Sequence, residues 1–325
     1  MLIREDYQGC YNDPVEKHYD FQRFSEDDGQ KVLFHGIGCL ENPRHKAALK
    51  HYKKKAFYNL EHPCAWYGSY EYMSKSANMD GYFDKVFTIC PYSAKWLNEV
   101  QQSNTFVPAS IPFNKNYLVS EKEDKVHDVM YWGGIHHPTH VNFVDSMRRF
   151  NYNFLSLGWQ HWAAPFRTRQ FVQNYAPSIT HQNVPRAEMW SLIRKTKINV
   201  MANLLYLSES QIEIIKSIEG WNKNEAFAHL DQGILPQYKT RPIECAANRS
   251  LMLVKRDPWN INELWFKPDS EFLYFDKDED LPDMIEEVSS NWEKYEHIAE
   301  NAFNRAAQDY TVEGFVQAVD RGLDD

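Results

Sequence analysis

Cysteine and long apolar runs are scarce in this sequence. Its five cysteines are scattered without paired spacing, which excludes a disulfide framework. No apolar stretch approaches the roughly 20 residues needed to cross a bilayer, which excludes a transmembrane span. The N-terminal segment MLIREDYQGCYNDPVEKHYD also lacks the basic and apolar regions of a secretory signal. We therefore expect a soluble protein in a reducing compartment, the cytoplasm, with peripheral attachment to a membrane left open.

Positive charge is also in short supply, and the deficit lies near the end of the chain. The net charge is -9, and residues 269–325 carry 17 acidic against 4 basic side chains. The rest of the chain is mildly basic. Its densest basic run, KHYKKK at residues 50–55, could meet phosphates, nucleic acid or anionic lipid. A solvated helix end is the simpler explanation of that run.

The length of 325 residues favours two domains. Short apolar segments of strand length alternate with helix-length segments over residues 31–111 and again after residue 127. This rhythm predicts the α/β class, with parallel sheets and right-handed crossovers. Residues 112–127 lose the apolar periodicity, and we place a linker there. The expected domains are 1–115 and 116–325, the second ending in helices.

The segment KTRPIECAANRS combines two cations with the start of a helix. Pro242 suits a first helical turn, so the helix should begin near Arg241 with Glu244 in its first turn. Lys239 and Arg241 would strengthen the positive field of the helix start and attract a phosphate or diphosphate. Glu244 could accept hydrogen bonds from vicinal hydroxyls such as those of ribose. The simpler alternative is that Glu244 only complements the helix dipole.

Two glycine turns follow predicted strands. Gly133 and Gly134 in YWGGIHH let the backbone approach a ligand, and a tight turn is their ordinary explanation. Gly36 and Gly38 in FHGIGCL form a loop of the kind that admits an acceptor or a diphosphate. No third glycine or suitably placed acid follows them, so a dinucleotide motif is not predicted.

The next strand ends in YNLEHPC, with Glu61 and His62 where open α/β sheets bind ligands. A histidine bonded to a neighbouring carbonyl explains His62 as well. A different pair, His136 and His140, would share one helix face, as zinc ligands do. No cysteine or glutamate with matching spacing joins this pair, and Pro138 disturbs the helix start, so we predict no metal site.

The order of segments in the second half resembles the C-terminal domain of retaining GT-B glycosyltransferases of the "glycosyl transferases group 1" type. The matching segments are NVPRAEMW, RPIECAA, SLMLVKRD, KPDSEFLYFDKDEDL and HIAENAFNRAAQDYT. Upstream, GYFDKVFTICPYSAKWLNEV resembles the end of the family's N-terminal domain, so the resemblance covers most of residues 80–318. It implies two Rossmann-type domains that face each other across a cleft.

The resemblance also implies roles for individual residues. Glu244 takes the position of the family glutamate that binds the ribose of the donor, and the diglycine turn lines the donor cleft. The peptide edge around Asn183 and Val184 would meet the base. His62 resembles the histidine that contacts the sugar or the acceptor, and it would orient the reacting sugar.

The chain departs from the family pattern in three places. The Arg and Lys that often follow the glycine turn in the family are absent, and His136, His137 and His140 stand near their place. The family's second glutamate lies eight residues before the first, where this chain has Pro236, and that glutamate normally holds the transferred sugar. The small-residue turn after the helix is Asn248-Arg249 here.

Lys239 and Arg241 would stabilise the charge that develops on the departing diphosphate.

The predicted activity is therefore sugar transfer from a nucleoside diphosphate sugar to an acceptor hydroxyl, with retention and without a bound metal. The nucleotide-sugar is a co-substrate, and no cofactor is expected. The acceptor is a glycan, a lipid-linked sugar or a nucleic acid. Two alternatives remain open: a sugar-nucleotide epimerase on the same fold, and a non-catalytic protein that binds carbohydrate or nucleotide.

Overall fold

The fold is an α/β arrangement of two parallel sheets. A computed structural model of the chain describes residues 1–5, 24–35, 43–59, 81–118, 121–135, 137–156 and 173–324. The elements in these ranges are β1 (Leu2–Glu5), β2 (Lys31–His35), α1 (Pro43–Leu49), β3 (Lys54–Asn59), β4 (Lys85–Thr88), α2 (Pro91–Gln101), β5 (Phe106–Pro108), β6 (His127–Trp132), α3 (Pro138–Met147), β7 (Tyr152–Ser156), β8 (His181–Gln182), α4 (Arg186–Arg194), β9 (Thr196–Ala202), β10 (Leu204–Tyr206), α5 (Glu209–Lys216), β11 (Ile234–Pro236), α6 (Arg241–Ala247), β12 (Leu251–Lys255), β13 (Leu273–Phe275), α7 (Leu281–Ser290), α8 (Trp292–Asp309) and α9 (Val312–Gly322).

Contacts divide the chain into two compact units. The first contains Met1–Lys115, Glu209–Tyr238 and Asp309–Asp325, and the second contains Asn116–Ser208 and Lys239–Gln308. The chain first changes unit between Lys115 and Asn116. It then returns to the first unit twice, and the sequence prediction included neither return.

In the described residues, the first unit has a five-stranded parallel sheet in the order β1-β2-β3-β4-β5. Its core is aromatic: the ring of Phe83 lies 5.3 Å from that of Phe57 and 5.9 Å from that of Phe34. Helix α2 begins at Pro91, where the missing N–H costs nothing, and the side chain of Cys90 caps it by accepting from the Ser93 N–H. The helix then packs Trp96 and other apolar side chains onto the sheet.

The two returning segments are held to the first unit by side-chain contacts. In the first segment, the amide of Asn224 donates to the buried Ser93 hydroxyl, and Glu225 pairs with Lys95 at 2.5 Å. In the second, Phe315 of α9 lies 4.5 Å from the ring of Tyr58. These contacts join residues that are far apart in sequence, so local patterns could not predict them.

The second unit has a six-stranded parallel sheet in its described residues, in the order β13-β12-β9-β6-β7-β8. Its strands are buried on both faces, as the continuous apolar runs of β6, β9 and β12 require. Phe143 of α3 is fully buried and meets the ring of Phe275 edge-on at 5.6 Å. The chain starts this sheet in the middle, at β6, and extends it first to one side and then to the other.

The predicted α/β class is confirmed in the ranges that the structure describes. Within them, no helix combines the length and apolarity needed to span a membrane.

Candidate functional site

The strand order of the second unit reverses between β6 and β9. From β6 the chain builds outward through β7 and β8, and it then returns to add β9 on the other side of β6. Parallel α/β sheets bind ligands outside the carboxyl ends of their strands at such a reversal, because the adjoining loops diverge there and leave a crevice. The turn at Gly133–Gly134 follows β6, and Asn203 follows β9. The reversal therefore marks these two strand ends as the place for a site.

Arg241 lies against the glycine turn. Gly133 has a φ of 129°, and a Cβ at this position would overlap the Arg241 guanidinium. The carbon of the guanidinium also lies 5.4 Å from the centre of the Tyr131 ring, whose hydroxyl donates to the Gly134 carbonyl at 3.1 Å. Glycine is thus required at position 133 for both its backbone conformation and its lack of a side chain. The glycine turn and the start of α6 are therefore in contact.

The Arg241 guanidinium has unused hydrogen-bonding capacity. Its Nη1 is buried and has no hydrogen-bond partner in the described part of the chain. A buried charged donor without an acceptor costs free energy, typically about 1–3 kcal/mol or more. An anion that accepts from Nη1 would recover that cost, so this atom marks an anion position beside the glycine turn.

Lys239 adds a second cation to this region. Its Nζ donates to the Ala202 carbonyl, at the end of β9, over 3.3 Å. Burial, and secondarily the charge of Arg241, lowers the pKa of Lys239 well below its ordinary value. Neither cation forms an ion pair within the described residues. A phosphate group would relieve the repulsion between them and favour the protonated form of Lys239.

Helix α6 begins at Arg241, as predicted, with Pro242 and Glu244 in its first turn. Glu244 is only 5% exposed. Burial raises the pKa of its carboxyl, while Arg186 and then Arg241 oppose that rise. The Arg186 Nη1 lies 3.9 Å from the Glu244 carboxylate. The carboxylate also accepts hydrogen bonds from the Thr240 and Trp132 side chains, which lower its pKa. A surface acid that merely complemented a helix dipole would be exposed, so the burial of Glu244 indicates a further role.

The segment before α4 directly precedes Arg186, which pairs with the Glu244 carboxylate. Asn183 is exposed, with a left-handed φ of 51°, and its N–H donates to the Ser156 carbonyl at 3.3 Å. Val184 is partly buried. Two residues later the chain reaches Arg186, the partner of Glu244. The sequence reasoning missed Arg186, whose only signal was its place directly after the valine-proline turn.

Two further residues of this region were also missed. Tyr131 was read only as part of a strand, although its ring contacts the Arg241 guanidinium. Asn203 has no exposed area, and neither atom of its side-chain amide has a hydrogen-bond partner in the described residues. An asparagine at the end of an apolar strand was the only available signal, and it becomes informative once the strand order is known.

The remaining predicted residues divide into two groups. Gly36, Gly38, Glu61, His62 and His136 lie outside the described residues. His140 is buried, with its ring 5.9 Å from that of Tyr131, so it belongs to the packing between α3 and the sheet.

Comparison with protein families identifies the chain. The model of the glycosyl transferase-like family matches residues 139–320, which is over half of the sequence. The chain belongs to this glycosyl transferase-like family. The matched span contains β9, Arg241 and Glu244, while β6 and the glycine turn precede it. No curated protein sequence matches the chain.

Solved structures of low sequence identity share the fold of this glycosyl transferase-like protein. Anabaena Alr3699/HepE, in complex with UDP and glucose, superposes with a TM-score of 0.60 at 11% identity, covering 91% of this chain and 78% of that one. A glycosyltransferase from Rickettsia africae gives 0.55 at 12% identity, with coverages of 93% and 77%. TarM of S. aureus gives 0.56 at 10% identity, and this chain covers only 57% of its length. The fold is GT-B.

The contact between Gly133 and Arg241 predicts the effect of a single methyl group. Gly133→Ala should displace the guanidinium and weaken the binding of pyrophosphate, measured by titration calorimetry, by about tenfold or more, as expected for a lost charge-assisted hydrogen bond. Gly322→Ala is the control, because a Cβ there meets Phe87 at an ordinary 3.4 Å. Equal pyrophosphate affinities of the two variants would contradict the placement of Arg241.

The burial of Glu244 predicts a pH-dependent stability. Because the pKa of its carboxyl is raised in the folded state, the charged form costs stability as pH rises above the unfolded value, and costs nothing well below it. Glu244→Gln should therefore match the melting temperature of the parent near pH 4 and increasingly exceed it toward pH 8. The exposed Glu279→Gln should follow the parent throughout. A Glu244→Gln difference that stays constant with pH would refute this cause.

Proposed function

We propose that this protein transfers a sugar from a nucleoside diphosphate sugar to an acceptor hydroxyl, with Arg241 and Lys239 holding the diphosphate. The observation that carries the proposal is the buried, unpartnered Nη1 of Arg241 beside Gly133, at the strand reversal of a glycosyl transferase-like chain. UDP and UDP-glucose are bound in the HepE complexes, which supports a nucleotide-sugar as the ligand of this site.

The two cations would act mainly on the leaving group. As the bond between the sugar and the diphosphate breaks, negative charge accumulates on the departing phosphate oxygens. Arg241 donates to those oxygens from a fixed position, and Lys239 adds a second positive charge once the diphosphate has raised its pKa. A site with little water strengthens both interactions, because the local dielectric constant is low.

The residues around the diphosphate position would bind the remaining parts of the donor. Glu244, held by Arg186, accepts hydrogen bonds from the ribose hydroxyls. The base lies along the peptide edge at Asn183 and Val184, which precedes the same arginine. His62 orients the reacting sugar, and the loop of Gly36 and Gly38 with Glu61 lies on the acceptor side; both roles rest on the family resemblance.

We further propose that the reaction retains the configuration of the sugar and needs no resident metal ion or cofactor. Lys239 and Arg241 supply the positive charge that a divalent cation supplies to the diphosphate in other enzymes. The acceptor is a glycan, a lipid-linked sugar or a nucleic acid, and the proposed compartment is the cytoplasm.

The proposal predicts a specific loss in the variant Arg241→Gln. With a panel of nucleoside diphosphate hexoses, the parent protein should bind one donor and release its nucleoside diphosphate. Arg241→Gln should lower kcat/KM for that release by about 100-fold or more, as for other charge-stabilising donors, and Lys239→Met should also lower it. Arg148→Gln, an exposed arginine whose partner is Asp145, should behave like the parent.

Product analysis separates this function from its alternatives. Transfer predicts a free sugar or a glycosylated acceptor together with the nucleoside diphosphate. An intact nucleotide carrying an epimerised sugar would identify an epimerase, and tight binding without turnover would identify a binding protein. A parent protein that binds no donor would contradict the proposal altogether.

A further inference from the structure

Asn203 is a polar residue in a fully enclosed position. It follows directly after β9 and has no exposed area, and neither its Oδ1 nor its Nδ2 has a hydrogen-bond partner among the described residues. Buried amides in folded proteins are almost always hydrogen-bonded, because each unmade bond costs about 1–3 kcal/mol. Asn262 shares this property, so the unpaired amide alone does not identify a ligand site, and the place of Asn203 in the fold decides its interpretation.

The position of Asn203 is that of the site described above. Met130 of β6 lies opposite Asn199 of β9, so the same register brings Asn203 level with Gly134. The residue before it, Ala202, accepts the hydrogen bond of Lys239 through its carbonyl. Asn203 thus lies next to the proposed diphosphate position, at the carboxyl end of a central strand.

The chemistry of an amide limits what can fill this position. The Nδ2 group donates hydrogen bonds, and Oδ1 accepts them. Phosphate oxygens only accept, so a diphosphate would leave Oδ1 unpaired. Hydroxyl groups donate and accept, so a pair of sugar hydroxyls satisfies both atoms at once. Both the ribose and the transferred sugar carry such hydroxyls beside the diphosphate. Because the ribose is proposed to bind Glu244, the transferred sugar is the part of the donor left for Asn203.

We infer that Asn203 hydrogen-bonds hydroxyl groups of the donor's sugar and so selects the sugar that is transferred. This inference rests on the proposed function.

The test compares a nucleoside diphosphate with its hexose conjugate, using UDP, GDP and ADP and their glucose and N-acetylglucosamine forms. Asn203→Leu, which is similar in size, should weaken the binding of the hexose conjugate at least tenfold and change that of the nucleoside diphosphate less than twofold. It should also raise the melting temperature of the unliganded protein, because an unsatisfied buried amide is removed. Asn203→Ala should show the same selective loss of sugar binding. It provides the test if the leucine variant does not fold.

Asn262→Leu is a matched control. Asn262 also has no exposed area and two unpartnered amide atoms, but it lies in the turn Ile261–Leu264, after β12. Its replacement should raise the melting temperature and leave both affinities unchanged.

The possible results separate this inference from the proposed function. Equal losses for the nucleoside diphosphate and its conjugate in Asn203→Leu would overturn the sugar contact, and unchanged affinities would show that the amide holds only a water molecule. In both cases the parent still binds the nucleotide, and the proposed function stands. A parent that binds none of the probes would overturn the proposed function and this inference with it.

Discussion

The candidate site depends on one close approach, between the guanidinium of Arg241 and the backbone of Gly133. A Cβ at position 133 would force the guanidinium to move, and the Tyr131 ring and the Glu244 carboxylate attract this cation. Held there, Arg241 leaves Nη1 buried and unpaired at the end of β6. The site thus keeps a positive charge in a fixed position before any ligand arrives, which is what a leaving diphosphate requires.

Two polar groups near Arg241 are also incompletely satisfied. Lys239 is held by a carbonyl rather than a carboxylate, and Asn203 makes no side-chain hydrogen bond in the described residues. Each arrangement costs stability in the empty protein. These groups lie together at one strand reversal. A single ligand that provides a phosphate for the cations and hydroxyls for the Asn203 amide would explain this arrangement.

The sequence was sufficient to predict the α/β class and the start of α6 at Arg241, because these depend on local patterns. Arg186 and Asn203 were not predictable, since their significance follows from strand order and register, which bring together residues far apart in the chain. The two returns of the chain to the first unit were missed for the same reason. Their contacts, such as that of Phe315 with Tyr58, have no local signature.

A crystal structure of the protein with a nucleoside diphosphate bound is the most direct test of this account. We expect a phosphate oxygen within about 3.2 Å of the Arg241 Nη1, the usual limit of an N–H···O hydrogen bond, and close to the Gly133–Gly134 turn. A diphosphate bound elsewhere, with Nη1 still unpaired, would contradict the assignment of this strand reversal as the donor site.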